Sequence, residues 1–569
     1  MAASVRAGPA RAVSRQVTRR GAIGAALLAV VAAWSAAYAD DVTWNAHDDA
    51  AIPEPAVDDG GDHVWRDGAW SMTVYQLRKV FDPFVAVPAL GSALHVAAPR
   101  EAANVNTLDE VPDSTWFTNR HGRERMAEAA LARGPNRAGH APAAGGPLVI
   151  LSGKPAGMTA GFVVRDGKGD RYVLKFDPPG YPEVPTGAEM VCTKILYALG
   201  WNVPENHLVR LDPGRFVIGD DAWLRDDAGK KRPMTDADLH AMLARVGHLP
   251  DGRLRAVASR WLPGVPKGGF RTIGRRADDP DDLVPHEDRR ELRGLRIAAA
   301  WINYTDARRG NFLDAFVRDP RRGDGSGHLV HYVLDFSSAL GAGNDDWKSP
   351  RYGHEYYFDP PHALARAVTF GMTRPDWADV PLAHPALGYF DAATFDPEEW
   401  RTTYPNPLFD AATARDAFWG AKLVGSFTDA DLAVVTRTGE WSDPRAATIL
   451  ADLLRARQRA IARTYFDVRH IDPIDGIGVT RAGRLRFRDL AVESGVADAA
   501  AARHRLRSPD GDWTPITSGD PITLGASPMT FEIETSHDAG TTWSPPVRVT
   551  FEGTPSEGYA VTALERLTR

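Results

Sequence analysis

Between Leu148 and Gly200 the spacing of apolar residues changes period, and that change restricts the fold more than any other feature of the chain. Leu148 to Ser152, Gly161 to Arg165 and Arg171 to Asp177 read as short strands, the last two joined by the turn Asp166-Gly-Lys-Gly169. In the third strand Tyr172, Leu174 and Phe176 alternate with Arg171, Val173 and Lys175, so one face is apolar and Lys175 points to the other. A helix starting at Thr186 or Gly187 then places Ala188, Val191, Cys192, Ile195 and Leu199 at helical spacing and stops at Gly200. Glu189 flanks that stripe, within reach of the lysine. Strands followed by helices predict an α+β chain.

At 569 residues the chain exceeds what one core usually holds, so several packed units are expected. The pattern divides it into an export signal (1–39), an N-terminal extension and linker (40–146), a strand-rich lobe (147–264), a mainly helical lobe (265–470) and an all-β, sandwich-like module (471–569). The extension carries two expected helices, Tyr75 to Phe81 and Arg123 to Leu131, before an Ala/Gly/Pro-rich linker from Arg133 to Pro147. Further strands are expected at Asn206 to Leu211 and Arg253 to Trp261, with Leu262-Pro-Gly264 as a hinge. In the helical lobe, His286 to Tyr304 shows Leu292, Leu295, Ala299 and Ile302 on one face and runs directly into Thr305-Asp306. A hairpin of Asn311 to Val317 and His328 to Phe336 follows, then helices at Thr428 to Val435 and Pro444 to Thr464. In the last segment Ser536-His-Asp538-Ala-Gly540-Thr-Thr-Trp543 resembles an Asp-box hairpin, whose aspartate caps the turn.

The first 39 residues combine a basic lead (Arg6, Arg11, Arg15, Arg19, Arg20), an apolar stretch from Gly21 to Ala37 and an Ala37-Tyr-Ala39 cleavage site. Thr18-Arg19-Arg20 is similar to a twin-arginine signal, although Ala22 stands where that pattern has phenylalanine, and the general secretory route is the alternative. No other stretch is long and apolar enough to cross a bilayer, so no transmembrane span is expected after signal cleavage. A net charge of −7 without long runs of one sign gives no reason to expect nucleic acid as a partner. Cys192 is the one cysteine, so no intrachain disulfide can form, and its apolar surroundings read as core.

The polar residues left off the apolar faces suit phosphoryl transfer, which needs positioning and charge neutralisation more than covalent chemistry. Ser152-Gly-Lys-Pro-Ala-Gly-Met-Thr-Ala-Gly161 places Gly153, Gly157 and Gly161 where backbone amides could approach phosphate oxygens, or it is a plain hairpin loop. Lys175 would neutralise the inner phosphates and Glu189 would orient it. Asp306-x4-Asn311 can present a carboxylate to an acceptor hydroxyl and an amide oxygen to a metal. Asp335, at the end of the β-pattern Tyr332-Val-Leu334, offers a second hard oxygen ligand. The competing reading of these residues is structural: helix capping for Asp306 and Asn311, a turn aspartate for Asp335, a sheet-edge lysine for Lys175.

In this order the residues resemble the kinase-like superfamily. The spellings Asp306-x4-Asn311-Phe-Leu and Leu334-Asp335-Phe-Ser-Ser-Ala-Leu-Gly are closer to its atypical branches: phosphatidylinositol kinases, HipA-type bacterial kinases and secretory-pathway kinases. The resemblance covers about Leu148 to Tyr465. It implies a two-lobed fold binding ATP with Mg²⁺ or Mn²⁺, a Lys175–Glu189 ion pair, Asp306 as the catalytic aspartate, Asn311 and Asp335 as metal ligands, and an acceptor that it does not identify. Departures are the missing His-Arg before Asp306, Ser337 in place of glycine after Asp-Phe, and the enlarged loop Arg318 to Gly327. The basic residues of that loop, with Arg308 and Arg309, either hold an anionic acceptor or are solvated. Because an exported enzyme meets little ATP, a kinase-fold protein that binds a ligand without turnover is the alternative. Glycan hydrolysis, suggested by the Asp-box, lacks an identifiable carboxylate pair.

Overall fold

The computed structural model describes residues 50–58, 70–75, 100–153, 161–226, 230–372, 374–525, 527–554, 556 and 558–568. The expected export signal, Gly157, and all but Tyr75 of the expected Tyr75–Phe81 helix lie outside these residues.

The chain is mixed α and β. Seven strands form its largest sheet: β1 (Leu148–Gly153), β2 (Gly161–Arg165), β3 (Arg171–Phe176), β4 (Asn206–Leu211), β5 (Phe216–Arg225), β6 (Lys231–Pro233) and β7 (Leu254–Arg260). Their order is β4-β7-β3-β2-β1-β5-β6. Neighbours are antiparallel except β1 and β5, which run parallel. The alternation expected in β3 holds: Tyr172, Leu174 and Phe176 are buried with Ile150, Phe162 and Ala258 in one core beneath the sheet.

Seven helices matter for the argument: α1 (Glu128–Arg133), α2 (Val184–Leu199), α3 (Asp236–Leu243), α4 (Arg290–Trp301), α5 (Ala414–Gly425), α6 (Asp429–Arg437) and α7 (Arg445–Tyr465). Helix α2 starts earlier than its apolar stripe suggests. Pro185 fits the first turn, and Asp177, just past β3, accepts from the Glu183 and Thr186 amides at 2.9 and 3.0 Å. It ends at Gly200, whose φ of 132° suits glycine and whose missing Cβ leaves room for the Phe117 ring. The stripe Ala188, Val191, Cys192, Ile195 and Leu199 packs into a core shared with α4 to α7, separate from the core under the sheet.

Three expectations are corrected. The helix expected over His286 to Tyr304 is a 3₁₀ turn (His286–Asp288) followed by α4, which stops at Trp301. Arg457 of α7 takes the Ala300 and Trp301 carbonyls at 2.6 and 2.9 Å, and Asn303 turns the chain with φ of 52°. The helix end is thus fixed by a distant arginine, and Asp306 is reached through a turn. The hairpin is formed by β9 (Phe312–Arg318) and β10 (Gly327–Val333), with β8 (Val265–Pro266) beside β9. Strand β10 ends at Val333, so Asp335 sits not at a strand end but in a left-handed turn with φ of 57°.

The third correction concerns residues 40–146. Val111, Trp116, Phe117 and Leu131 are buried in the same core as α2 and α4 to α7, so most of the described extension belongs to the helical unit. Within the expected linker, the carbonyls of Ala143, Ala144, Gly145 and Gly146 accept from Arg215 at the start of the parallel strand β5. The expected hinge glycine, Gly264, packs against the Phe316 carbonyl of β9.

The C-terminal strands form a pair, β11 (Ile474–Val479) with β12 (Leu485–Asp489), and a five-stranded sheet. The sheet contains β13 (Arg503–Arg507), β14 (Thr514–Ile516), β15 (Met529–Ser536), β16 (Val547–Thr554) and β17 (Gly558–Arg566). Ile474, Leu485 and Phe487 from the pair meet Phe531, Ile533 and Val549 from the sheet across one core. In the Asp-box-like turn, Asp538 accepts from the Thr541 and Thr542 amides at 2.9 and 2.7 Å. No helix among the described residues is long and apolar enough to cross a membrane.

Candidate active site

Lys175 lies on β3, flanked by Gly161 of β2 and Val257 of β7 in the cross-strand register. Because its neighbours in sequence face the sheet core, its side chain reaches the opposite side, where α2 packs. There its ammonium lies 2.9 Å from Glu189 Oε1 and 3.1 Å from Asp335 Oδ1. Burial alone would lower the lysine's pKa, but Asp335 and Glu189 outweigh that and hold it above the usual lysine range.

Glu189 is 1% exposed, and both of its oxygens are taken up by further contacts. Oε1 also accepts from Asn206 Nδ2 of β4 at 3.0 Å, and Oε2 accepts from the Phe336 amide at 2.8 Å. One carboxylate therefore ties β3, β4 and the Asp335 turn together. Asp335 Oδ1 further accepts from Ser337 Oγ at 2.6 Å, so the serine that replaces the expected glycine holds the aspartate side chain.

From this turn, backbone links lead to Asp306. The Leu334 amide donates to the Asn311 carbonyl at 2.8 Å, and the Tyr304 hydroxyl donates to the Leu334 carbonyl at 2.7 Å. Asn311 Nδ2 donates to Asp306 at both Oδ2 (2.8 Å) and the backbone oxygen (2.9 Å), leaving Oδ1 as the atom with which it could ligate. The Asp306 loop is clamped on both sides: the Thr403 amide donates to the Thr305 carbonyl at 2.7 Å, and Asn406 Nδ2 to the Ala307 carbonyl at 2.9 Å. Burial, with Asp306, Asp335 and Glu189 nearby, pushes the Tyr304 hydroxyl far up, so the ring remains a neutral donor between the three carboxylates. Asp306 and Asp335 each keep 28% of their side chains exposed, open to a ligand.

The structure thus joins Lys175, Glu189, Asp335, Asn311 and Asp306 through contacts and one short turn. Gly153 and Gly161 bracket the loop between β1 and β2, and Gly161 sits directly opposite Lys175. The expected basic surface is partly spent on ion pairs. Arg308 Nε lies 2.6 Å from Asp306 Oδ1, Arg309 pairs with Asp58 at 3.1 Å, and Arg321 pairs with its neighbour Asp319 at 3.0 Å on the exposed loop.

Three residues were missed by sequence reasoning. Asn206 was read only as the first residue of a strand, and Tyr304 only as the end of a helix. Lys348 lies in a loop without periodicity; its ammonium donates to the Ser338 carbonyl at 2.9 Å. Burial pushes it down to about 8, against the pull of Asp306. Of the three, only Asn206 carried a signal, an amide at the start of a strand whose other polar residues, His207 and Arg210, are less buried.

Among the described residues no group of three or more His, Cys, Asp or Glu side chains is arranged to hold a metal ion. Among these residues a permanently held metal finds no cage of such side chains. Mg²⁺ bound with a nucleotide asks for less, since it keeps waters and phosphate oxygens and takes one or two protein oxygens, and Asp335 with Asn311 fits that demand. Compared with known proteins, the chain matches no family model and no curated sequence.

Proposed function

We propose that this chain is an exported, atypical kinase-like phosphotransferase with two lobes, one built on the seven-stranded sheet and one on the helices, using ATP with Mg²⁺ or Mn²⁺. The observation that carries the reading is the three-way contact of Lys175 with Glu189 and Asp335. A strand lysine following a glycine-bearing loop, a glutamate on the next helix and an aspartate in a turn from the other lobe are the parts phosphoryl transfer requires. In this reading Gly153, Gly157 and Gly161 let the loop's amides approach phosphate, and Lys175, oriented by Glu189, neutralises the inner phosphates. Asn311 and Asp335 hold the metal, which when bound neutralises charge on the phosphate oxygens. Asp306 accepts the proton of an acceptor hydroxyl, once Arg308 has left its carboxylate. The acceptor itself is left open.

The Arg308–Asp306 ion pair also favours a second reading, a kinase-fold protein of the cell envelope that binds nucleotide without turnover. One set of measurements separates the two. The protein should gain thermal stability with ATP only when Mg²⁺ or Mn²⁺ is present, and Asp335→Ala should lose that gain. With γ-labelled ATP, transfer to the protein or to water should fall ~10²–10⁴-fold in Asp306→Ala while nucleotide binding persists. Binding without transfer in the unaltered protein supports the second reading, and no metal-dependent stabilisation overturns both.

A further inference from the structure

Helix α2 carries a second charged residue that the proposed active site does not use. Lys194 lies farther along the helix than Glu189, and at about 100° per residue its side chain leaves on another side. It forms part of a groove of about 660 Å³ lined by Met190, Lys194, His207, Leu208, Val434 and Arg437, among others, and by none of the five residues above.

Lys194 is 1% exposed, and among the described residues its ammonium donates only to the Arg133 carbonyl, at 2.9 Å, with no carboxylate in ion-pairing range. A buried ammonium without a counter-ion is costly, and a single carbonyl at the end of α1 offsets only part of that cost. Burial accordingly pushes it down to about 8, opposed by Glu205. A further buried atom in the lining, His207 Nε2, has no hydrogen-bond partner among the described residues, its carboxylate neighbour Glu205 lying 4.0 Å away. Burial, then Lys194, push the histidine down to about 4, so it is a neutral imidazole. Around the rim, Arg133 and Arg437 pair with no carboxylate among the described residues, whereas Glu440 is taken by Arg210 at 3.1 Å. Glu128 and Glu205 are the carboxylates left against them, and Glu205, 4.0 Å from His207 Nε2, is itself engaged by His140 at 3.0 Å. An excess of uncompensated positive charge in a chain of net charge −7 marks a place for an anion.

We propose that this groove binds a small amphipathic anion, a carboxylate or phosphate ester with an apolar body, its head at Lys194 and His207 and its body along Met190, Leu208 and Val434. The volume falls within the ~300–1,000 Å³ of small-molecule sites. The site stands apart from the nucleotide reading and does not depend on it.

Calorimetric titration of the full chain at pH 8 with octanoate, octyl phosphate and neutral octanol tests this. At least one anion should bind, and octanol should bind about tenfold or more weakly, the size of one charge-assisted hydrogen bond. Whichever anion binds identifies the head group. Binding should take up a proton, because an anion beside Lys194 raises a pKa near 8, and the heat should therefore change between buffers of different ionisation enthalpy. Lys194→Met should weaken binding about tenfold and remove the proton uptake. Should that variant not fold, Val434→Trp, which fills the groove and keeps the lysine, should abolish binding instead. Absence of heat from both anions, equal binding of octanol, or undiminished binding in Lys194→Met (in Val434→Trp where Lys194→Met does not fold) overturns the proposal.

Discussion

A single carboxylate, Glu189, holds the candidate site together. It accepts from Lys175, Asn206 and the Phe336 amide, three groups from three different parts of the chain. Glu189→Ala would leave Lys175 buried with Asp335 alone and strand two further donors, so a loss of ~3–5 kcal/mol is expected in denaturant unfolding. Glu189→Gln keeps the shape and one acceptor and should cost less. Equal stability of the alanine variant and the unaltered protein would show that the three contacts are not simultaneously made. The Lys175–Glu189 pair was legible because strand alternation placed Lys175, and the helical stripe placed Glu189, off the apolar face. Its partners were not. Nothing in a lone Asn206 names Glu189 as its partner, and nothing in a backbone amide at Phe336 signals a contact across more than a hundred residues of chain.

At the scale of elements, the approach of α4 to α5 decides where the Asp306 loop is delivered. Both helices carry a glycine at the crossing: a Cβ on Gly420 would lie 2.9 Å from the Gly294 carbonyl, and one on Gly294 would lie 2.6 Å from the Trp419 ring. Trp419 cannot easily give way, being buried and bound through Nε1 to Glu110 at 3.2 Å. Alanine is the better helix former by ~1 kcal/mol, yet overpacking here should outweigh it, with a net loss of ~1–3 kcal/mol for Gly420→Ala, read as a lower thermal midpoint. A raised midpoint would mean that the helices part freely. Elements with one clear apolar face, such as β3 and α2, were legible in the sequence. Strand β5 was not, because its burial is mixed and its partner β1 is joined by parallel pairing between distant segments. Helix α3 was missed although Thr235-x-x-Asp238 forms a capping box, since its own residues include none that is buried.

For the whole molecule, composition misled about residues 100–146. Aspartate, proline, glycine and alanine suggested an extension outside the packed units, ending in a linker from Arg133 to Pro147, but a few large apolar side chains of the extension reach the helical core. Phe117 meets Trp201 and Trp419 with ring centroids 5.6 and 5.2 Å away, and it occupies the space beside Gly200. Asp109 pairs at 2.6 Å with Arg290, a fully buried arginine that also holds Asp416 at 3.0 Å. The Leu564 amide of the C-terminal sheet donates to the Thr107 carbonyl at 2.7 Å, so the same segment touches that module too. Removing residues 1–146 therefore deletes Val111, Trp116, Phe117 and Leu131 from the core, at ~1.5–3 kcal/mol for each side chain, and leaves Arg290 short of a counter-ion. That loss is comparable to the ~5–15 kcal/mol by which a folded domain is stable. Fragment 147–569 should consequently lack a cooperative helical unfolding transition by circular dichroism, while fragment 100–569 retains one. If 147–569 unfolds cooperatively at the same temperature as 100–569, the segment lies on the core without supporting it, and the boundary at 146/147 is a domain boundary after all.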